Sequence, residues 1–402
     1  MDFSLSSDQL LIRDTVRRFM EAEMRPILRE CEREGKFPAE QLRKLGELGC
    51  CGMLVPEEWG GAGTDTISYA LMLEEVARVC ASTAVALSVT NSVVGVPVWK
   101  FGNATQKKQY LRPLSRGEIL GAFCLTEPQA GSDAAGIQTR ATREGDHYVL
   151  NGTKAWVTNG GVSGVYLVFA KTDPEAGARG VTAFLVQPTF SGFRVSRYEE
   201  KMGLHLSRSA EIVFHNCRVP IENRLGEEGQ GLKIALESLD GGRVGIAAQA
   251  LGLAQGAMEA AARYAKQRRT FGKPIAEYQA IQWMLADMQT EIEAARALTH
   301  YAAFMRDKES REPGSRRCGS SASRAKLYSS EMANRVAYRA VQVHGSVGYS
   351  RETDVERYYR DARVLTIYEG TSEMQRIVIA RDLLRSAPAG AQSQPAGVRQ
   401  VG

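Results

Sequence analysis

One carboxylate near the C-terminal end of the sequence is placed to do chemistry. Glu369 stands in "LTIYEGTSEMQR", between the apolar run Leu365-Thr366-Ile367-Tyr368 and a helix start at Gly370-Thr371-Ser372-Glu373. Apolar flanks and an adjacent glycine point to a charge held out of water. A glutamate titrates near ~4.3 in water, and desolvation raises that by as much as ~3–5 units, toward values at which a carboxylate becomes an effective proton acceptor. Glu369 is therefore the candidate general base. The alternative is a solvated turn glutamate ahead of a helix N-cap, and the segment alone favours that alternative.

Two further stretches could hold a ligand. In "FCLTEPQAGSDAAG", Phe123 to Gly136, Thr126 and Ser132 supply hydroxyls and Gly131 lets backbone amides come close. Such an uncharged nest suits a flavin ring edge or a phosphate, though a plain β-turn explains it equally well. "WVTNG", Trp156 to Gly160, adds an aromatic platform with polar neighbours, against which stands a tryptophan of the core. The glycine-rich "EEWGGAGTD" lacks both the GxGxxG spacing and a GK[ST] ending, and reads as an ordinary loop.

The elements that must position these residues fall into three blocks. Residues 1–120 read as helical: Asp8 and its neighbours cap a first helix with an apolar face of Leu10, Leu11, Val16, Phe19 and Met20, and Pro26 follows soon after. Residues 121–230 change to short β-rich runs separated by Gly, Pro, Asn and Asp, as in "HYVLNGTKAWVTNG", "GVYLVFAKT" and "AEIVFHNCRVP". That block predicts a β-barrel or sandwich domain. Residues 231–385 return to long helices with Ala, Leu, Ile and Met at bundle spacing, broken by the linker "REPGSRRCGSS", which fits a four-helix bundle. The predicted class is α+β multidomain, with residues 386–402 a disordered tail.

Composition narrows the function. The 402 residues carry a net charge of +5, spread along the chain, so nothing asks for nucleic acid, while an anionic ligand is compatible. Seven cysteines without a CxxC pair argue for buried thiols in a reducing compartment, and five histidines without HExxH give no metal site. No uninterrupted apolar run reads as long enough to cross a bilayer, and the N-terminus reads as an amphipathic helix rather than a signal peptide. The expectation is a soluble protein of a bacterial cytoplasm, favoured by a start directly on the helical block, or a processed protein of the mitochondrial matrix.

"CLTEPQAGSD", "WVTN", "RRTFG" with "EYQAIQ", "QVHGSVGY" and "RYYRDARVLTIYEGTSEMQR" follow one another in an order and approximate spacing that resemble flavin-dependent acyl-CoA dehydrogenases, over about Phe3 to Arg385. "LDGGRVGIAAQALGLAQ" and "IYEGTSEMQR" are most similar to the short-chain, butyryl-CoA type. The resemblance implies FAD held noncovalently between the β block and the C-terminal bundle, in a homotetramer whose subunits share FAD sites. Within one subunit it assigns to FAD the segment from Phe123 to Ser132, including Leu125, Thr126 and Gly131, then Trp156, Val157 and Thr158, and Thr371, Ser372 and Glu373 of the last helix. Arg268, Phe271 and Gln279, with Gln342, Val343, His344, Gly345 and Ser346, match positions that reach the FAD of a partner. Ser132, Asp240, Arg243, Tyr368 and Gly370 match the acyl-CoA site. From the residues alone, Asp240 and Arg243 read instead as an intrahelical i,i+3 pair worth only ~0.2–0.5 kcal/mol, and Tyr368 equally as a core tyrosine.

Two departures bear on the family reading. Gly345-Ser346 stands where many members have Gly-Gly, and a small hydroxyl side chain is expected to be accommodated there. Some relatives carry their catalytic glutamate near the segment that here reads Leu239-Asp240-Gly241-Gly242-Arg243, which has no Glu, so Glu369 is the matching base. The implied reaction is α,β-dehydrogenation of an acyl-CoA to a trans-2-enoyl-CoA, with electrons passed to an electron-transfer flavoprotein and with the Glu369 amide and a ribityl hydroxyl of FAD as oxyanion donors. An acyl-CoA oxidase, an enzyme for branched or cyclic acyl groups, and a non-enzymatic scaffold are the alternatives, separable by peroxide yield, an acyl-CoA panel and flavin content.

Overall fold

The computed structural model of the chain describes residues 4–311 and 319–386. Cys318, most of the linker before it, and the predicted tail beyond Ser386 lie outside the described residues.

The N-terminal block is helical: α1 Ser7–Phe19, α2 Arg25–Glu34, α3 Ala39–Glu47, α4 Thr66–Val79, α5 Ala81–Ser88, α6 Val96–Phe101, α7 Ala104–Gln106 and α8 Arg112–Ser115. Local chemistry explains the starts. A capping box of Ser6 and Gln9 opens α1, Asp65 accepts from the Ser68 amide at 2.7 Å to open α4, and Pro26 sits in the first turn of α2. The α1 face differs from the one the sequence predicts. Val16 and Met20 are buried, but Leu10 is 38% and Leu11 62% exposed, whereas Gln9 turns inward to donate to Asp65 at 2.8 Å. A polar bridge between α1 and α4 fixes the rotation of α1 there.

From Ala81 to Phe101 the helix is continuous and apolar enough to cross a membrane by length and composition, contrary to the reading of the bare sequence. Residues 81–98 of it are buried within the protein, Lys100 at its end is exposed, and buried polar groups are satisfied internally: Asn91 donates to the carbonyls of Cys50 and Leu87, and Ser92 to that of Ser88.

The middle block forms one eight-stranded sheet, in the order β6-β7-β3-β2-β4-β5-β8 with β1 alongside β4. Its strands are β1 Gly121–Cys124, β2 Arg140–Glu144, β3 His147–Thr158, β4 Val165–Lys171, β5 Val181–Val186, β6 Phe193–Tyr198, β7 Ser209–Pro220 and β8 Arg224–Leu225. The largely apolar β4 and β5 are buried on both faces up to the terminal Lys171 of β4, while β3 alternates. In β3 the register against β7 slips between Lys154 and Val157, and Trp156 lies in this bulge with φ of 57°. A bulge re-aims a side chain, and the Trp156 ring is 60% exposed.

The C-terminal block is built from α9 Gly231–Gln267, a short hairpin of β9 Arg269–Thr270 and β10 Lys273–Pro274, then α10 Gln279–Arg311, α11 Gly319–His344, α12 Asp354–Ala362 and α13 Ser372–Ser386. Alanine and glycine let α9 pack tightly on α4. At Gly252 a Cβ would come within 2.0 Å of the Glu74 carbonyl, so the backbones meet directly.

Side chains of Asn159, Asp361 and Tyr358 join the blocks. Asn159 donates to the carbonyls of Ala86 and Gly121, the Leu204 amide donates to Asp361 at 2.5 Å, and the Tyr358 hydroxyl donates to the Arg78 carbonyl at 2.6 Å. Within the sheet, Lys154 and Glu127 form a wholly buried ion pair at 2.7 Å. Glu127 also accepts from the Gln138 and Thr139 amides, Lys154 donates to the Leu125 carbonyl, and the Ala155 amide donates to Thr126. Burial opposes the charge of Glu127, but Lys154 and the amides outweigh it and hold the carboxyl below its ordinary range. Lys154→Met strands Glu127 and should cost about 3–5 kcal/mol, read as a lowered unfolding midpoint. The double variant Glu127→Gln/Lys154→Met should lose much less; equal losses would contradict this role for the pair.

Candidate active site

Glu369 lies in the turn between α12 and α13 with a left-handed φ of 52°, followed by Gly370 at 95°. For a residue with a Cβ that conformation costs roughly 1–2 kcal/mol, so the surroundings must hold it. Gln375 donates through Nε2 to the carbonyls of Glu369 at 3.2 Å and Gly370 at 2.9 Å, and Lys326 Nζ donates to the Gly370 carbonyl at 2.8 Å. The first turn of α13 is closed by Thr371, whose hydroxyl accepts from the Met374 amide at 3.3 Å.

The carboxylate points at α9. A Cβ at Gly242 would stand 2.0 Å from Glu369 Oε2, so this glycine makes the space that the carboxylate occupies. Oε2 is fully buried without a hydrogen-bond partner, and among the described residues no acceptor faces the Glu369 amide. Burial pushes the Glu369 carboxyl up to about 7, against the opposing charges of Lys326 and Arg243. Lys326, 0% exposed, is brought down to about 8 by the same desolvation, opposed mainly by Glu369. A carboxylate that titrates near neutrality results, the range suited to proton transfer.

Close-packed side chains wall the space beside it. Tyr368 donates to Gln249 Oε1 at 2.5 Å, and Gln249 donates to the Ala81 carbonyl at 2.8 Å. Across from them, Tyr69 and Ser88 share a hydrogen bond of 3.1 Å, and a Cβ at Gly245 would come within 2.6 Å of both hydroxyls. The Tyr69 hydroxyl is pushed up to about 12, chiefly by burial and further by the charge of Glu369.

Of the acyl-CoA positions implied by the sequence, Asp240 and Arg243 flank Gly241 and Gly242 on α9 and do form the i,i+3 pair, at 2.6 Å. Burial raises the Asp240 carboxyl, against Arg243 and Arg306, and Arg243 Nε is buried without a partner. Tyr368 and Gly370 flank the base itself. Ser132 is exposed on the sheet side.

The residues present fit a flavin. Trp156 offers an exposed ring beside Thr158, and the Ala155–Thr126 bond ties that bulge to the loop carrying Thr126, Gly131 and Ser132. Nothing stands within 4 Å of where a Gly131 Cβ would be, so the loop backbone is open to a ligand. Phe123 packs against Phe169 with the rings tilted at 57°, while Leu125, Ala130 and Leu365 share one buried cluster that links this loop to the segment of Glu369. Thr371 and Glu373 open α13, with Glu373 exposed; the Ser372 hydroxyl donates to Glu331 at 2.7 Å.

The remaining predicted positions gather elsewhere. Tyr264 and His344 stack at 4.3 Å, bringing the ends of α9 and α11 together and with them Arg268, Phe271, Gln279 and Gln342–Ser346. Arg268, Gln279, Gln342, Gly345 and Ser346 are exposed, and Phe271 is 98% exposed. Val343 and His344 are buried, the His344 ring hydrogen-bonding the Ala340 carbonyl. Sixteen residues of α11 separate Gln342 from Lys326, about 24 Å of helix. One chain does not unite this group with its own base.

Sequence reasoning passed over Lys326, Gln375, Gly242, Gln249 and the Glu127–Lys154 pair. Lys326 alone left a trace, since it falls on the helical face shared by Ala322, Ala325, Ser329 and Met332.

Comparison with known proteins covers nearly the whole chain. Models of the N-terminal, middle and C-terminal domains of acyl-CoA dehydrogenases match residues 6–118, 122–217 and 229–384. The mitochondrial short-chain specific acyl-CoA dehydrogenase of Mus musculus is 47% identical over 376 residues, 94% of this chain and 90% of that protein. The solved butyryl-CoA dehydrogenase of Megasphaera elsdenii superposes with a TM-score of 0.92 at 44% identity, covering 96% of this chain and all of the other. A chain from a structure described as the electron transferring flavoprotein of Acidaminococcus fermentans reaches 0.93 at 45% identity, with 96% and 100% coverage. With all three of its blocks matched in order, the chain belongs to the acyl-CoA dehydrogenases, FAD-dependent oxidoreductases that act on a CH–CH group.

Proposed function

We propose that this protein oxidises a short-chain acyl-CoA to its trans-2-enoyl-CoA with Glu369 as the base, and passes the electrons to an electron-transfer flavoprotein. The observation that carries the mechanism is the Glu369 carboxylate, buried and unpartnered at Oε2 and poised near neutral pH.

FAD, when bound, supplies the acceptor for the hydride from the β carbon. The chain does the rest. Glu369 removes the α proton, and the left-handed turn holds its carboxylate against Gly242 with little freedom to move. Its unpartnered amide is available to the thioester oxygen as negative charge develops there. Apolar and hydrogen-bonded walls exclude water, which strengthens that contact and sustains the raised proton affinity of the base. Phe123–Ser132, Trp156–Thr158, Thr371 and Glu373 are the residues that would hold FAD within the subunit, with Arg243 and Asp240 toward the CoA moiety. Hydrogen bonds of Tyr368 to Gln249 and of Tyr69 to Ser88 close off the space beyond the base, which supports a short acyl group.

Phe271, Trp283, Tyr338 and Tyr349, between 59% and 98% exposed, support a homotetramer in which Arg268, Phe271, Gln279 and the Gln342–Ser346 turn complete a neighbour's FAD site. The electron acceptor rests on the Acidaminococcus likeness. Relatives from mitochondria and from bacteria leave two compartments for the chain, the matrix and a bacterial cytoplasm.

Replacing Glu369 by Gln should leave FAD content and acyl-CoA affinity in place while turnover falls by ~10²–10⁴ or more; near wild-type turnover would sink the assignment. Because the base works ionised and titrates at about 7, kcat/KM should fall roughly tenfold per unit below that pH. A flat profile from pH 5.5 to 8 would contradict it. In Gly242→Ala the new methyl must displace the carboxylate, and kcat should drop by roughly 10², with flavin retained; unchanged kcat would show that the carboxylate does not need this space.

A further inference from the structure

The cation beside the base has no place in the reaction derived so far. We propose that Lys326 is a positioning residue: it locks the left-handed Glu369-Gly370 backbone and provides the counter-charge that lets a carboxylate stay ionised inside a dry pocket. This rests on Glu369 being the base.

The geometry has two parts. Lys326 Nζ and Gln375 Nε2 both donate to the Gly370 carbonyl, at 2.8 and 2.9 Å, so the peptide after Glu369 is gripped from α11 and from α13 at once. Rotating it would break both bonds and swing the carboxylate off Gly242. The second part is charge. A fully buried ammonium is kept only where an anion or strong acceptor faces it, and the groups around Lys326 are Glu369, Arg243, Glu331 and Glu373.

The others are engaged elsewhere. Arg243 on α9 pairs with Asp240 at 2.6 Å, Glu331 accepts from Ser372 at 2.7 Å and faces Arg376 at 3.7 Å, and Glu373 on α13 is exposed and also faces Arg376 at 3.7 Å. From α10, Arg306 lies against Gly241, and from α4, Tyr69 is hydrogen-bonded to Ser88. Lys326 is left as the cation committed to the turn of the base. The opposed shifts of the two groups, Glu369 up and Lys326 down, agree with one buried pair sharing a low dielectric.

Three variants of the flavin-loaded protein test this. Lys326→Met removes donor and charge, Lys326→Gln keeps a donor but no charge, and Lys326→Arg keeps both. Two readouts serve: the acidic limb of kcat/KM against pH, and the infrared band of the protonated Glu369 carboxyl followed against pH without substrate, assigned by its loss in Glu369→Gln. An opposite charge at close range lowers a carboxylate by about 1–3 units, so both limb and band should move up by that amount in Lys326→Met and Lys326→Gln and return toward wild type in Lys326→Arg. If Lys326→Met does not retain flavin, Lys326→Gln is read alone. Reduced turnover with limb and band unmoved would overturn the proposal and leave Lys326 a structural residue. Wild-type turnover in Glu369→Gln would instead overturn the base assignment, a different failure with a different signature.

Discussion

A carboxylate that must be desolvated and still ionise sets the terms for this protein. Water would hold Glu369 near its ordinary titration range, too weak a base for an α proton. Complete isolation would keep it protonated. The structure settles between these limits by burying the carboxylate against the bare backbone of α9 at Gly242 and placing one buried cation, Lys326, on its turn. The backbone strain at Glu369 belongs to the same compromise, because only a left-handed turn, gripped by Gln375 and Lys326, delivers the side chain into that space.

The rest of the fold supplies what this arrangement requires. Tight packing of α4 on α9 puts Tyr69 and Ser88 opposite the base, and the hydrogen bond from Tyr368 to Gln249 closes the near side. In the sheet, Trp156 stands in a bulge that starts at Lys154, which is paired with Glu127 of the loop after β1. One buried ion pair and one buried cation thus stand in the two halves of the site: Lys154 with Glu127 ties the β3 bulge to the loop, and Lys326, bonded to the Gly370 carbonyl, holds the turn that carries Glu369.

Local pattern carried the sequence reading a long way. Periodicity separated the helical, β-rich and helical blocks, and apolar flanks beside a glycine singled out Glu369. What stayed hidden depends on tertiary contact. Glu127 and Lys154 are 27 residues apart and look like ordinary surface charges until the sheet buries them. Lys326 resembles any lysine of a long helix, its burial decided by which face meets the final turn. Leu10 and Leu11 look like core residues but face outward, because a hydrogen bond from Gln9 to Asp65 sets the rotation of α1. Gly242 entered the sequence reading only as part of a segment without a glutamate, and its importance lies in the side chain it leaves room for. The group at the far ends of α9 and α11, which the resemblance assigns to the FAD of a partner, lies well away from Glu369 within one chain.

The claim at the centre is that Glu369 moves the α proton of a bound acyl thioester, a step that can be observed apart from any redox change. Acetyl-CoA has α hydrogens and no β carbon, so it can exchange but cannot be dehydrogenated. Incubated with the flavin-loaded protein in deuterium oxide, it should gain deuterium at its α carbon with the wild type and not with Glu369→Gln. Exchange at the same rate in both proteins would contradict the assignment of the base and the pocket chemistry built around it.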